Sequence, residues 1–243
     1  MMSRRNMLGH ACSLGSLAVA QADPPSPISQ RKLKVIVTGG HPGDPEYGCG
    51  GTIARYTDLG HEVILLYLND GVPTGKPHDG VRIAEARKAC EILKARPLFG
   101  EQIDGDAVVD RLHYQAFHKV LEPERPNVVF THWPIDNHAD HRAMSMLVYD
   151  AWLRMGKSFV LNYYEVSNGE DTVQFSPTHY VDITATAPRK RQACFAHASQ
   201  SPEKFHALQE QVTRLRGIEK GCRHAESFIR HVQSPDLELP PGL

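Results

Sequence analysis

Two short segments of this 243-residue chain carry side chains of the types that bind metal ions. In the first, GHPGDPE at residues 40–46, His41 and Asp44 lie three positions apart. Imidazole nitrogen and carboxylate oxygen are both zinc ligands, and the prolines lower the entropy cost of holding the two groups together. The alternative for this segment alone is a rigid turn in which both side chains cap backbone groups.

The second segment, DNHADHR at residues 136–142, supplies two histidines three positions apart with carboxylates beside them. One imidazole can complete a set of three ligands, which leaves the open position that a hydrolytic zinc ion requires. The other imidazole can act as a general acid or base, oriented by Asp136 or Asp140. The alternative is a polar helix cap with solvated histidines.

Alternating strands and helices are expected to position both segments. Short runs rich in β-branched residues alternate with segments of helical periodicity, which is typical of a parallel sheet covered by helices. The predicted strands are 33–38, 63–68, 98–103, 128–131, 159–166 and 180–183, and the predicted helices begin near 49–52, 83, 107, 139, 189 and 203. Because ligands bind at the carboxyl ends of strands in such sheets, the two metal-binding segments should meet there.

From residue 33 to about 215 the chain resembles the PIG-L/LmbE family of metal-dependent N-deacetylases. The family motif HPDDE, followed by GCGGT, is matched by HPGD at 41–44 and GCGGT at 48–52, and the later motif HxDH is matched by HADH at 138–141. The resemblance implies an α/β, Rossmann-like three-layer domain with a mainly parallel sheet. It also implies one zinc ion per chain bound by His41, Asp44 and His141, a proton donor in His138, and Asp140 as the support of a catalytic histidine.

The reaction that the resemblance implies is hydrolysis of an N-acyl bond, with acetyl as the expected acyl group and an amino-sugar conjugate as the small-molecule substrate. Gly43, however, stands where the family has the aspartate that acts as general base. A missing base costs about 10²–10⁴-fold in rate, so either Glu46 or Asp140 substitutes, or metal-activated water suffices without it. The alternative function is a catalytically weak or silent metal- and carbohydrate-binding protein of the same fold.

Two more residues match family positions and are candidate substrate-binding residues. Arg82 matches an arginine that contacts substrate, and His197 belongs to a recurrent late segment. The alternatives are an ordinary surface pair of Arg82 with Glu85, and a structural histidine on a helix. The glycines at 48–52 lack the GxGxxG spacing, so they indicate tight helix–sheet packing rather than a dinucleotide site.

The composition excludes several classes of partner. Apolar residues make up 41% and charged residues 23% of the chain, as in an ordinary globular enzyme. The formal net charge of -1, without a basic stripe, argues against nucleic acid as a partner. No run of about 18 apolar residues is present, so no membrane-spanning helix is predicted. The sequence does not indicate an oligomeric state.

The N-terminal residues resemble an export signal. Arg4 and Arg5 precede a mildly apolar stretch that ends in small residues, which is typical of a twin-arginine signal peptide over residues 1–22. Residues 23–30 contain three prolines and are predicted to be a linker to a single domain at 31–235. The protein is therefore expected to be periplasmic or extracellular. The alternative is a disordered N-terminus on a cytoplasmic protein.

Overall fold

A seven-stranded sheet organises the described part of the chain. The computed structural model describes residues 31–167 and 169–243. Its strands are β1 (Lys34–Gly39), β2 (Glu62–Pro73), β3 (Arg96–Asp104), β4 (Val128–His132), β5 (Val160–Tyr164), β6 (His179–Asp182) and β7 (Ala225–Arg230). Its α-helices are α1 (Asp44–Asp58), α2 (Val81–Leu93), α3 (Arg111–Leu121), α4 (Ala139–Arg154), α5 (Ala187–Phe195) and α6 (Pro202–Lys220).

The strand order places β1 and β4 side by side at the centre of the sheet. The order is β3-β2-β1-β4-β5-β7-β6. The first five strands run parallel, whereas β7 is antiparallel to both β5 and β6. After β1, the chain forms β2 on one side of β1 and later forms β4 on the other side. A crevice therefore opens at the carboxyl ends of β1 and β4.

Helices cover both faces of the sheet and form two separate cores. Along β2, Leu65 and Tyr67 pack with α1, α2 and α5, whereas Ile64 and Leu66 pack with α3 and α4. Alternate residues of a strand point to opposite faces, so each strand feeds both cores. This arrangement confirms the predicted three-layer α/β domain with a mainly parallel sheet.

The GCGGT run allows α1 to pack closely against its neighbours, as the sequence predicts. A Cβ at Gly48 would lie 2.4 Å from the ring of Tyr164, and one at Gly51 would lie 2.6 Å from Ile183. Neither distance is tolerated by real side chains, so both glycines are needed for this packing.

Helix α1 and strand β7 are among the elements that differ from the sequence prediction. Helix α1 begins at Asp44, not near residues 49–52, because Pro45 is favoured in the first turn of a helix. Strand β7 was not predicted, because its polar Glu226 and Ser227 break the apolar pattern of a buried strand. Both are nevertheless buried, with Glu226 paired to Lys190 and Ser227 bonded to Glu165.

The described chain extends beyond residue 235, where the predicted domain ends. Beyond residue 235 the chain continues along the domain, where Arg55 donates hydrogen bonds to the carbonyl oxygens of Pro241 and Gly242. The proposed signal peptide at 1–22 and linker at 23–30 lie outside the described residues. None of the described helices is long and apolar enough to cross a membrane.

Candidate metal centre

The three predicted metal ligands meet at the carboxyl ends of β1 and β4. His41 follows β1, Asp44 is the first residue of α1, and His141 lies in the first turn of α4. The Oδ2 atom of Asp44 lies 3.3 Å from His41 Nδ1 and 3.4 Å from His141 Nε2. Asp44 Oδ2 also accepts a hydrogen bond from the backbone N–H of His41 at 2.8 Å. One carboxylate oxygen thus joins the two histidines.

A third histidine, which the sequence analysis missed, belongs to the same cluster. His132 is the last residue of β4 and is fully buried. Its Nε2 lies 3.2 Å from Asp44 Oδ2, and its ring stacks on His141 with centroids 3.9 Å apart. Its position at the end of a central strand could have identified His132, by the same argument that identified His41.

Carboxylates also surround the far nitrogen of His41. Its Nε2 lies 3.0 Å from Asp140 Oδ2 and 3.1 Å from Oδ1 of Asp104, the last residue of β3. Asp104 was not predicted, because a strand ending in Asp-Gly-Asp is easily taken for the start of a turn. Among the described residues, three groups could hold an ion: His41, His138 and His141; Asp44, His132 and His141; and His41, Asp104 and Asp140.

The Asp140 carboxylate contacts the ring of His41. The backbone N–H groups of Gly105 and Ala107 and the side-chain amide of Asn69 also donate to the Asp140 carboxylate. Burial opposes ionisation of Asp140, but these donors and His41 outweigh it and lower its pKa to about 2. A carboxylate with so low a pKa is a weak general base and a strong support for His41.

Asp136 supports His141, the other predicted ligand histidine. Its Oδ1 lies 3.1 Å from His141 Nδ1, and its Oδ2 accepts a hydrogen bond from Thr172 at 2.9 Å. A carboxylate on one ring nitrogen fixes the tautomer and leaves the other nitrogen available to a metal. His141 Nε2, which faces Asp44, is therefore the nitrogen that can bind an ion.

Two histidines of the cluster, His41 and His141, carry positive charge because they are protonated at neutral pH. Burial lowers the pKa of His41 and His141, but the carboxylates around them outweigh it. The pKa of His141 rises to about 9 and that of His41 rises well above its usual value. Burial and the charge on His141 lower the pKa of His132 to about 4, so that ring stays neutral. The donor set of imidazoles and carboxylates fits a zinc-type ion.

His138 caps the first turn of α4 at the edge of the cluster. Its Nδ1 accepts a hydrogen bond from the backbone N–H of Asp140 at 3.2 Å. This contact assigns the neutral tautomer, in which Nε2 carries the proton. Burial and the positive charges on His41 and His141 lower the pKa of His138, so this ring presents an N–H donor at neutral pH.

Glu46 and His197 form a buried pair on the other side of Gly43. Glu46 is fully buried and does not line the pocket over the cluster. Its Oε1 lies 3.1 Å from His197 Nε2 and accepts a hydrogen bond from Tyr67 at 2.7 Å. His197 does line the pocket, and its Cδ2 would lie 3.9 Å from a Cβ at Gly43.

Arg82 lies on the wall of the same pocket, which has a volume of about 230 Å³. It donates hydrogen bonds to the carbonyl oxygens of Pro42 and Gly71, at 2.8 and 2.9 Å. Glu85 instead accepts hydrogen bonds from Ser199. The observed partners of Arg82 are therefore the loops beside the metal cluster, and not Glu85.

Comparison with known proteins agrees with this geometry. Residues 36–152 match the PIG-L family, described as GlcNAc-PI de-N-acetylase. The diacetylchitobiose deacetylase of Thermococcus kodakarensis is 30% identical over 233 residues, covering 86% of each chain. This chain belongs to the PIG-L family.

Two solved structures show the same fold. The conserved protein TT1542 from Thermus thermophilus has a TM-score of 0.72 and 29% identity, over 86% of this chain and 98% of that one. The N,N'-diacetylchitobiose deacetylase from Pyrococcus horikoshii has a TM-score of 0.70 and 25% identity, over 82% of this chain and 84% of that one. The PIG-L chain described here thus has deacetylases among its relatives.

Proposed function

We propose that this chain is a zinc-dependent N-deacetylase that removes an acetyl group from a small amino-sugar substrate. The observation that carries the proposal is the position of Asp44 Oδ2, within 3.4 Å of ring nitrogens of His41 and His141 beneath an open pocket. The deacetylases among the relatives support the reaction class and the substrate class.

The metal and its ligands divide the chemistry between them. A zinc ion bound there would polarise the acyl carbonyl and lower the pKa of a coordinated water to about 7. His41 Nδ1, Asp44 Oδ2 and His141 Nε2 are the ligand atoms that we assign to it. Asp140 and Asp136 hold the two histidine rings from behind.

We assign the role of proton acceptor, which Gly43 cannot fill, to His197. Because Nε2 donates to Glu46, the neutral ring has its free electron pair on Nδ1. That Nδ1 is buried and has no hydrogen-bond partner among residues 31–167 and 169–243. Glu46 is then a positioning residue, as carboxylates are for catalytic histidines elsewhere.

His138 is the proposed proton donor to the departing amine. It can give up a proton only after it has itself been protonated, because loss of Nε2–H from the neutral ring would leave an imidazolate anion. The proton taken up at His197 Nδ1 replaces the one that His138 delivers, so the net change is hydroxide on the acyl carbon and a proton on the amine. Arg82 is proposed to hold the substrate at the pocket wall.

The decisive measurement is acetate release from N,N'-diacetylchitobiose and N-acetylglucosamine by protein loaded with zinc or stripped by a chelator. We expect release that depends on zinc and is abolished in Asp44→Asn, which should also bind zinc more weakly. The matched control is His179→Gln, which removes an exposed imidazole on β6. Stoichiometric zinc binding without acetate release would favour the binding-protein alternative.

The role of His197 is tested by His197→Ala. We expect a fall in kcat of about 10²–10⁴-fold with the zinc content retained. Added imidazole should partly restore the rate, which it would not do if the ring were only structural. Unchanged kcat, or a loss that imidazole never rescues in a stable, zinc-loaded variant, would contradict the assignment.

Export is a separate proposal and concerns residues outside the described part of the chain. Replacing Arg4 and Arg5 by lysine should trap a precursor in the cell if they form a twin-arginine signal. Exported protein that still begins at Met1 or Met2 would contradict cleavage.

A further inference from the structure

A second pocket lies between α5 and α6 and shares no lining residue with the metal pocket. We call it the α5–α6 pocket. Its walls come from both helices and from the turns at 183–184 and 223–224, and its volume is about 360 Å³. A cavity of this size can hold a small molecule.

Positive charge dominates the α5–α6 pocket. Lys190, Arg191 and Arg223 line it, whereas Glu210 is its only acidic lining residue in the described chain. Glu210 accepts a hydrogen bond from Arg214 at 2.8 Å, so its charge is already compensated. The guanidinium groups of Arg191 and Arg223 have no carboxylate within ion-pair distance among the described residues, and Arg191 lies over the ring of Phe195.

Lys190 is the most unusual of these cations, because it is 3% exposed. Its ammonium group donates to Glu226 Oε1 at 2.7 Å, its one hydrogen bond to a described residue. A lysine ammonium has three N–H donors, so two of them have no acceptor within residues 31–167 and 169–243. Glu226 cannot meet this need, because it also accepts from the backbone N–H groups of Gly51 and Thr52.

A buried amide adds a neutral donor to the same wall. Gln209 is 4% exposed, lines the α5–α6 pocket, and has no side-chain hydrogen bond to any described residue. The Gln209 amide is therefore available to a molecule in the α5–α6 pocket. Burial and then Lys190 lower the pKa of the adjacent His206, as expected in a field of positive charge.

We propose that the α5–α6 pocket is a binding site for the oxyanion of a small molecule, a phosphate or carboxylate group held by Lys190, Arg191 and Arg223. An oxyanion carries several hydrogen-bond acceptors and a negative charge. It can therefore accept from the remaining N–H donors of Lys190 and pair with the guanidinium groups of Arg191 and Arg223. The site is separate from the metal centre.

The test is a calorimetric titration of the full-length protein with inorganic phosphate and, in parallel, with acetate, at constant ionic strength. We expect saturable binding of one of the two probes that persists when a chelator is present. Arg191→Ala and Arg223→Ala should each weaken it about tenfold or more. Both arginines are exposed, so these variants should fold. Arg111→Ala, which removes an exposed charge on α3, should bind like the native protein.

Three results would overturn the proposal. The first is equal affinity in all three arginine variants, which would indicate general charge screening. The second is loss of binding when the metal is chelated, which would place the anion at the metal centre. The third is no saturable binding of either probe by the native protein.

Discussion

Gly43 has a backbone conformation that side chains rarely adopt, with a φ of +115°. The atoms nearest to a Cβ there would belong to Tyr47, at 3.6 Å, and to His197, at 3.9 Å. Space is therefore available, but the backbone would be strained by about 1–3 kcal/mol. The sequence marks Gly43 as a departure from the family motif, whereas its conformation could be learned only from the structure.

We predict that Gly43→Ala and Gly43→Asp lower the melting temperature by similar amounts, because the strain comes from the Cβ and not from the carboxylate. In the native background, Gly43→Asp should not exceed Gly43→Ala in kcat, since His197 already accepts the proton. In the His197→Ala background, Gly43→Asp should partly restore acetate release. Thermal melts and acetate assays on the same samples check both points, and failure of this restoration in a folded protein would count against His197.

The raised pKa values of the ligand histidines predict how metal affinity depends on pH. His141, with a pKa of about 9, is protonated at neutral pH and must lose that proton before its nitrogen can bind zinc. Affinity should therefore rise with pH up to about 9, by about tenfold per pH unit for each proton displaced. Calorimetry in two buffers of different ionisation enthalpy counts the protons, and pH-independent affinity would contradict the charge assignment.

The sequence singled out His41, Asp44 and His141 because they lie in short motifs. His132 and Asp104 were missed because they belong to no local pattern and reach the cluster only through strand pairing. Glu46 was singled out as a candidate base, but its burial and its contact with His197 could not be seen in the sequence.

At the scale of elements, helix α1 depends on glycines, although glycine has a low intrinsic helix propensity. In an isolated helix, replacing Gly51 with alanine should stabilise the helix by about 1 kcal/mol. In the protein its new Cβ would lie 2.6 Å from Ile183, so overpacking should dominate.

We predict that Gly51→Ala lowers the free energy of unfolding by about 1–3 kcal/mol. Gly50→Ala is the comparison, because its Cβ would meet the Lys190 side chain at 3.0 Å, where a smaller shift relieves the contact. Urea unfolding followed by circular dichroism measures both. Equal loss in the two variants would show that Ile183 does not limit the approach of α1.

Strand β7 shows why some elements escape prediction. Its Glu226 and Ser227 are polar by type, yet each is buried because a distant residue satisfies it. Apolar periodicity cannot reveal a strand whose polar residues are paired across the fold. Strands β1, β2, β4 and β5 were predictable because they are largely buried on both faces and therefore form short apolar runs.

At the scale of the whole molecule, the candidate metal centre joins segments that are far apart in the chain. Gly40 and His132 are 92 residues apart, and His41 and Asp140 are 99 apart. They meet only because β1 pairs with β4 along Val35, Ile36 and Val37. Closing so long a loop costs conformational entropy, and local structure does not offset this cost.

The pairing of β1 with β4 therefore has a consequence for the rates of folding. A metal that binds only after these strands have met stabilises the native state and not the earlier stages. We expect zinc to slow unfolding in proportion to its occupancy and to leave the refolding rate unchanged, in stopped-flow experiments with and without a chelator. Faster refolding in zinc would mean that the ion gathers its ligands before the sheet forms.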